Sequence, residues 1–180
     1  MLEKILNIGV FSSNDTNLNR KIRVSNLISL LTIVTMTGYI PVAIGFRVLG
    51  IIVLNSLFFV SSILGYYFNS IRMYNLTFYI GSFYGLIYFT FGSVFYGLES
   101  NLHFFILIMC LIAITLFSSN LVLRIYISTA VISFFALVIT MANKPGIINF
   151  TSEMKSAQGV ISVLNLFLLF LITILFFIFF

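Results

Sequence analysis

Apolar residues in this chain come in long runs broken by brief polar intervals, and the spacing of those intervals predicts its elements. The runs cover about 24–43, 48–68, 76–96, 102–117, 125–141 and 160–180. A helix that crosses a bilayer needs roughly 20 apolar residues, so each run is read as a transmembrane helix. A membrane barrel strand would be about ten residues long and would alternate polar with apolar positions. These runs are longer and apolar on every face, which predicts an all-α integral membrane protein, a six-helix bundle. The first run is expected to end near Pro41, where a missing backbone N–H costs least. The least distinct boundary is the turn Ser118, Ser119, Asn120 and Arg124 between the fourth and fifth runs.

Composition agrees with lipid as the solvent. Of 180 residues, 61% are hydrophobic and 7% charged, and the mean hydropathy is +1.20. A soluble globule of this size must present a polar exterior, and this chain has too few polar residues to do so. Residues 1–23 are the polar exception, with Glu3, Lys4, Asp15, Arg20, Lys21 and Arg23. They contain no apolar core followed by a small-residue cleavage site, so they read as a cytoplasmic segment preceding the transmembrane domain 24–180, and not as a signal peptide.

Charge sets the expected orientation, because short loops rich in Lys and Arg stay on the cytoplasmic side. An N-terminus inside places Lys4, Arg20, Lys21, Arg23, Arg72 and Arg124 inside, and Arg47, Lys144 and Lys155 outside. Six spans then return the C-terminus to the cytoplasm. Tyr66, Tyr67, Tyr74 and Tyr126 fall near the inner surface and Tyr39 and Tyr96 near the outer one, as an aromatic belt would. The net charge of +5 is dispersed among turns, which argues against nucleic acid as a partner. The longest connection, 142–159, holds Lys144, Pro145, Gly146, Glu153 and Lys155 and reads as an ordered outer turn or short lid.

Candidate chemistry is sparse. No Asp, Glu, Lys or Arg lies deep in any run, whereas ion-driven transporters place ionisable groups near the midplane. The outer start of the fourth run carries His103, with Glu99 one helical turn earlier and Asn101 between them. A histidine and a carboxylate there can sense pH, bind a small polar ligand or hold a metal loosely. The structural alternative is an interfacial anchor, with Ser100 and Asn101 as an N-cap and Glu99 at the positive end of the helix dipole. One histidine does not make a metal site, and the single cysteine, Cys110, excludes an intrachain disulfide. Nucleophile-and-base pairs, phosphate loops and paired carboxylates are not evident, so no enzyme and no cofactor are expected.

Two further sets of positions suggest helix packing. Gly81 and Gly85 form a small-xxx-small pair, and Gly92 continues on nearly the same face, which lets another helix approach, within the monomer or across a homodimer. Asn55, Asn69 and Asn165 are uncharged amides in or near the runs and suit hydrogen bonds between helices. Glycosylation-type sequons at Asn14, Asn75 and Asn149 are taken as coincidental.

Leu18 to Asn26, LNRKIRVSN, leads directly into the first run, and Tyr96 to Phe105 reads YGLESNLHFF. Both stretches resemble the six-helix membrane module at the N-terminus of some bacterial adenylate cyclases and sensor histidine kinases. The fourth helix of that module opens with a histidine and aromatic residues after a short outer loop. The resemblance extends over nearly the whole chain. It implies a non-enzymatic sensor or anchor in the bacterial inner membrane, with input at the outer helix ends and output through the sixth helix to a cytoplasmic cyclase, kinase or similar domain. The chain departs from that pattern in Leu164 to Phe180, which is apolar to the last residue with no Lys or Arg. A module lacking its output domain, as a fragment, a truncated product or a partner-dependent subunit, is therefore expected. A small transporter or channel subunit with a neutral pathway and a structural partner in a membrane complex are the competing readings.

Overall fold

The structure, a computed structural model, describes residues 2–12, 14–45, 49–117 and 119–142, together with 159, 162–163, 165–168, 170 and 172. Its helices are α1 (Leu2–Leu6), α2 (Thr16–Gly45), α3 (Leu49–Ser70), α4 (Tyr74–Tyr96), α5 (Phe104–Leu116) and α6 (Asn120–Met141), with a 3-10 turn at Leu98–Ser100. There is no strand among the described residues. Four helices, α2, α3, α4 and α6, are long and apolar enough to cross a membrane. Helix α5 has 13 residues, fewer than the roughly 20 that a perpendicular span requires. The described positions of the last apolar run are helical. The remainder of 160–180, Arg47, and the expected outer turn with Lys144, Pro145, Gly146, Glu153 and Lys155 lie outside the described residues.

Helix α3 shows which solvent these helices are built for. Its exposed positions Val53, Leu57, Val60, Leu64 and Tyr67 recur every three or four residues and are all large and apolar or aromatic. The opposite, buried face carries Ile51, Asn55, Phe58, Ser62, Gly65 and Asn69. Small and polar groups inside with large apolar groups outside reverse the arrangement of a water-soluble helix, as expected where lipid covers the outer face. Helix α6 likewise exposes large apolar residues, Ile132, Phe135 and Ile139, and buries Tyr126, Ala130 and Leu137.

Several element boundaries depart from the apolar pattern. Helix α2 starts at Thr16, because Asp15 caps it: its carboxylate accepts from the Asn17 amide and from the Thr16 hydroxyl, both at 3.3 Å. Arg20, Lys21 and Arg23 therefore sit on the helix itself. The same helix runs through Pro41 to Gly45 instead of ending there, since neighbouring groups in a membrane helix tolerate the lost N–H. Arg124 lies on α6, not in a turn before it. Tyr126 is fully buried, so it is not an interfacial anchor.

The α3–α4 turn closes by two backbone bonds, Met73 N–H to Phe68 O at 2.9 Å and Arg72 N–H to Asn69 O at 3.2 Å. Arg72 takes the left-handed conformation with φ 65°. This is the usual helix stop that glycine fills, here occupied by an arginine.

The chain forms two compact units, 1–85 with 113–119, and 86–112 with 120–180. In the first, Gly65 brings helices together: a Cβ at that position would stand 3.1 Å from Ser29 Oγ on α2 and 3.6 Å from Thr77 on α4. The end of α5 joins the same unit through Lys21 Nζ, which donates to Leu116 O at 3.4 Å, and through an edge-to-face contact of Tyr79 with Phe117 at 5.1 Å. In the second, Phe89 stacks on Phe105 at 4.8 Å, and a Cβ on Gly92 would stand 3.1 Å from Leu102.

Candidate functional site

The connection from α4 to α5 is a tight polar turn. Gly97, at φ 80°, breaks α4; the 3-10 turn Leu98–Ser100 follows, and Asn101, at φ 61°, ends it. Asparagine tolerates the left-handed region better than other residues with a Cβ. The Ser100 hydroxyl donates to Gly97 O at 2.8 Å, which holds the turn shut from inside.

This turn is bonded to the last apolar run by two side-chain amides. Asn101 Nδ2 donates to Ser162 Oγ at 2.6 Å, and Asn165 Nδ2 donates to Ser100 O at 2.7 Å. Positions 162 and 165 lie one helical turn apart, so one face of that run meets the turn twice. Ser100 and Asn165 are buried, so the bond between them forms in a water-poor setting where a missing partner is costly, while the Asn101–Ser162 bond is half-buried.

His103 follows immediately. It is 7% exposed and its ring lies 4.1 Å from Phe104 and 6.0 Å from Phe134 of α6. Its Nδ1 has no hydrogen-bond partner among the described residues. Glu99, one of the residues expected to act with it, is exposed, and the intervening 3-10 turn and left-handed Asn101 put the two on different faces. Asn101 terminates the 3-10 turn instead of capping α5, and the Asn101 carbonyl accepts from Phe104 N–H at 3.3 Å. The structure thus gathers His103, Ser100, Asn101 and Asn165 around one turn and leaves Glu99 on its rim. The arrangement offers hydrogen bonding and aromatic contact. No group of three metal-ligating side chains occurs among the described residues.

The glycine and amide positions separate. Gly81 is exposed with nothing within 4 Å of a built Cβ, so it is not a packing position inside the first unit; Gly85 and Gly92 are buried. The close helix approach in that unit falls instead on Gly65. Asn55 is buried on α3. Asn69 donates to Asn26 Oδ1 at 2.8 Å and so bonds α3 to α2.

Asn26 is the centre of a second polar cluster, which no pattern in the sequence marks. Helix α1 ends at Leu6 and continues as a turn to Gly9, at φ 80°, leaving carbonyls at this end without helical donors. Asn26 Nδ2 donates to two of these, Leu6 O at 3.0 Å and Ile8 O at 2.8 Å. Tyr66 donates to the Asn26 carbonyl at 2.7 Å, Tyr74 to Gly9 O at 3.0 Å, and Asn14 Nδ2 to Asn19 Oδ1 at 3.0 Å. Residues 2–12 and 14 are thereby strapped across the ends of α2, α3 and α4.

Comparison with known proteins returns no match: no family model, no curated protein and no solved structure aligns with this chain.

Proposed function

We propose that the chain is a non-enzymatic, multi-pass sensor or anchor module of a signal-transduction protein in a cell membrane. The observation that supports this reading most is the pair of amide bonds from the 97–103 turn to Ser162 and Asn165. A ligand that contacts His103 Nδ1 or the Ser100–Asn101 turn acts directly on the run bonded to that turn, and a small shift of that helix is a signal a packed bundle can transmit. The receiver is a cytoplasmic output domain or a partner kinase or cyclase, by the resemblance of LNRKIRVSN and YGLESNLHFF to the bacterial sensor module.

A cyclase reporter fused after Phe180 tests the reading. Asn165→Leu removes the donor to Ser100 O and is expected to change basal output at least three-fold, with His103→Ala altering the response to outer-face conditions. Output indifferent to both, and to Glu99→Ala, counts against a sensor. Solute flux in proteoliposomes would favour the transporter or channel reading instead.

Six spans with both termini cytoplasmic belong to the same proposal. Cysteine labelling suits the test, because Cys110 is the only cysteine to be replaced. In a Cys110→Ser background, Ser12→Cys is expected to react from the cytoplasmic side and Glu99→Cys from the outer side. Reaction of both from one side would refute the orientation.

A further inference from the structure

The strap fixes a set of cations at one level of the first unit. Asn26 and Asn69 are hydrogen-bonded to each other, so they lie at the same depth along α2 and α3. Arg23 and Arg72 each stand three positions from one of these asparagines, toward the strap end of the helices. The two arginines therefore mark the same boundary, just beyond the apolar parts of α2 and α3. Arg20 lies one turn before Arg23 on the same face of α2.

Both arginines are held in place. Arg23 Nε donates to Asn7 Oδ1 at 2.8 Å. The guanidinium of Arg72 lies over the Phe11 ring at 4.2 Å, a cation–π contact, and the residue remains exposed. Asn7 continues the turn of α1, its N–H donating to Glu3 O at 3.0 Å, so Lys4 stands on the same side of α1 as Asn7. Lys4, Arg20, Arg23 and Arg72 are all exposed. Among the described residues, neither Lys4, Arg23 nor Arg72 is paired with a carboxylate. The two acids of the segment do not neutralise these three: the Asp15 carboxylate caps α2, and Glu3 is a single acid against Lys4, Arg23 and Arg72.

We propose that Lys4, Arg23 and Arg72 bind the phosphate headgroup of an anionic phospholipid at this membrane boundary. The chemistry favours a headgroup over other anions, because Arg23 and Arg72 stand at the level where the apolar parts of α2 and α3 begin, which the acyl chains of the same lipid would cover. Arginine supplies planar donors matched to phosphate oxygens, and Asn7 and Phe11 hold two of them in fixed geometry before any lipid arrives.

The chain contains no tryptophan, so one introduced at Ser12 reports on this locality alone. The S12W protein is placed in nanodiscs of phosphatidylcholine carrying increasing fractions of brominated phosphatidylglycerol, or of brominated phosphatidylcholine. Quenching is expected to show at least a five-fold preference for phosphatidylglycerol, about the contribution of one basic residue near an anionic surface. The preference should shrink as salt is raised and fall to within two-fold of phosphatidylcholine in the S12W chain carrying Arg23→Gln and Arg72→Gln. The salt arm needs no charge variant, so it stands if that variant misfolds. Equal quenching by both lipids, or a preference that survives the substitutions and high salt, overturns the proposal. Complete displacement of the brominated lipid by millimolar inorganic phosphate also overturns it, by making this a site for soluble anions.

Discussion

Replacing Asn26 with leucine is expected to destabilise the protein by about 3 kcal/mol, measured by reversible unfolding in mixed detergent micelles. The size follows from what the amide does. Its Nδ2 supplies donors to Leu6 O and Ile8 O, and its Oδ1 accepts from Asn69. Leucine fills a similar volume but offers none of these contacts, so three polar groups lose a partner at once, at roughly 1 kcal/mol each. Asn26→Asp keeps the acceptor for Asn69 but has no donor for the two carbonyls and sets a buried carboxylate against them, so it should lose at least as much as leucine. Asn69→Leu should cost less, because it breaks one bond of the three. In the double variant the penalties should not add, since the pair shares a bond. A loss below about 0.5 kcal/mol for Asn26→Leu would mean that water replaces the amide freely and that residues 2–12 and 14 are not held by it.

That Asn26 matters could not be read from the sequence, for a physical reason. Its partners are backbone carbonyls at the end of α1, and no residue type marks a carbonyl as unpaired. The helical class was legible, because apolar runs of about 20 residues satisfy their own backbone only as helices in lipid. The ends of α3 and α4 were legible to within about two residues, Leu49–Ser70 against 48–68 and Tyr74–Tyr96 against 76–96. There the apolar run and the helix stop together at turn residues.

At α2 the two diverge. Apolarity begins at Val24, but backbone hydrogen bonding continues back to the Asp15 cap, because a helix does not need lipid to persist for two polar turns. Pro41 misleads in the other direction, since it removes one donor without ending the helix. At the candidate site, spacing placed Glu99 one turn from His103, an inference valid only within a regular helix. The 3-10 turn and the left-handed Asn101 intervene, and Glu99 ends up exposed while His103 is buried. Asn165 was legible as a buried amide that bonds between elements, but not its acceptor, a backbone carbonyl in a turn. Gly81 and Gly65 show the same limit: small-xxx-small spacing names faces on which helices can approach, and packing selects which glycine is used.

Gly9→Ala is the substitution expected to release the strap outright. At φ 80° an alanine costs on the order of 1–2 kcal/mol more than glycine, whatever surrounds it. Here the surroundings add to that, because a Cβ would meet the Asn69 carbonyl oxygen and carbon, with the Asn69 Cβ at 3.3 Å. Those atoms cannot step aside cheaply. The Asn69 carbonyl accepts from Arg72 N–H in the α3–α4 turn, and its side chain is bonded to Asn26. The lower-cost response is for residues 2–12 and 14 to lift away, giving up the Tyr74 and Asn26 bonds to the strap. Hydrogen exchange should then show protection lost at the amides of residues 7–10 by at least ten-fold, with α6 unchanged. Gly38→Ala is the matched control: it lies inside α2 with nothing within 4 Å of a built Cβ, so alanine should leave exchange in the strap as it is. Loss of protection in both variants would point to general loosening of α2, and loss in neither would show that the strap bears no close contact at Gly9. Release of the strap also withdraws Asn7 from Arg23 and Phe11 from Arg72, so Gly9→Ala should weaken the preference for anionic lipid without removing any charge.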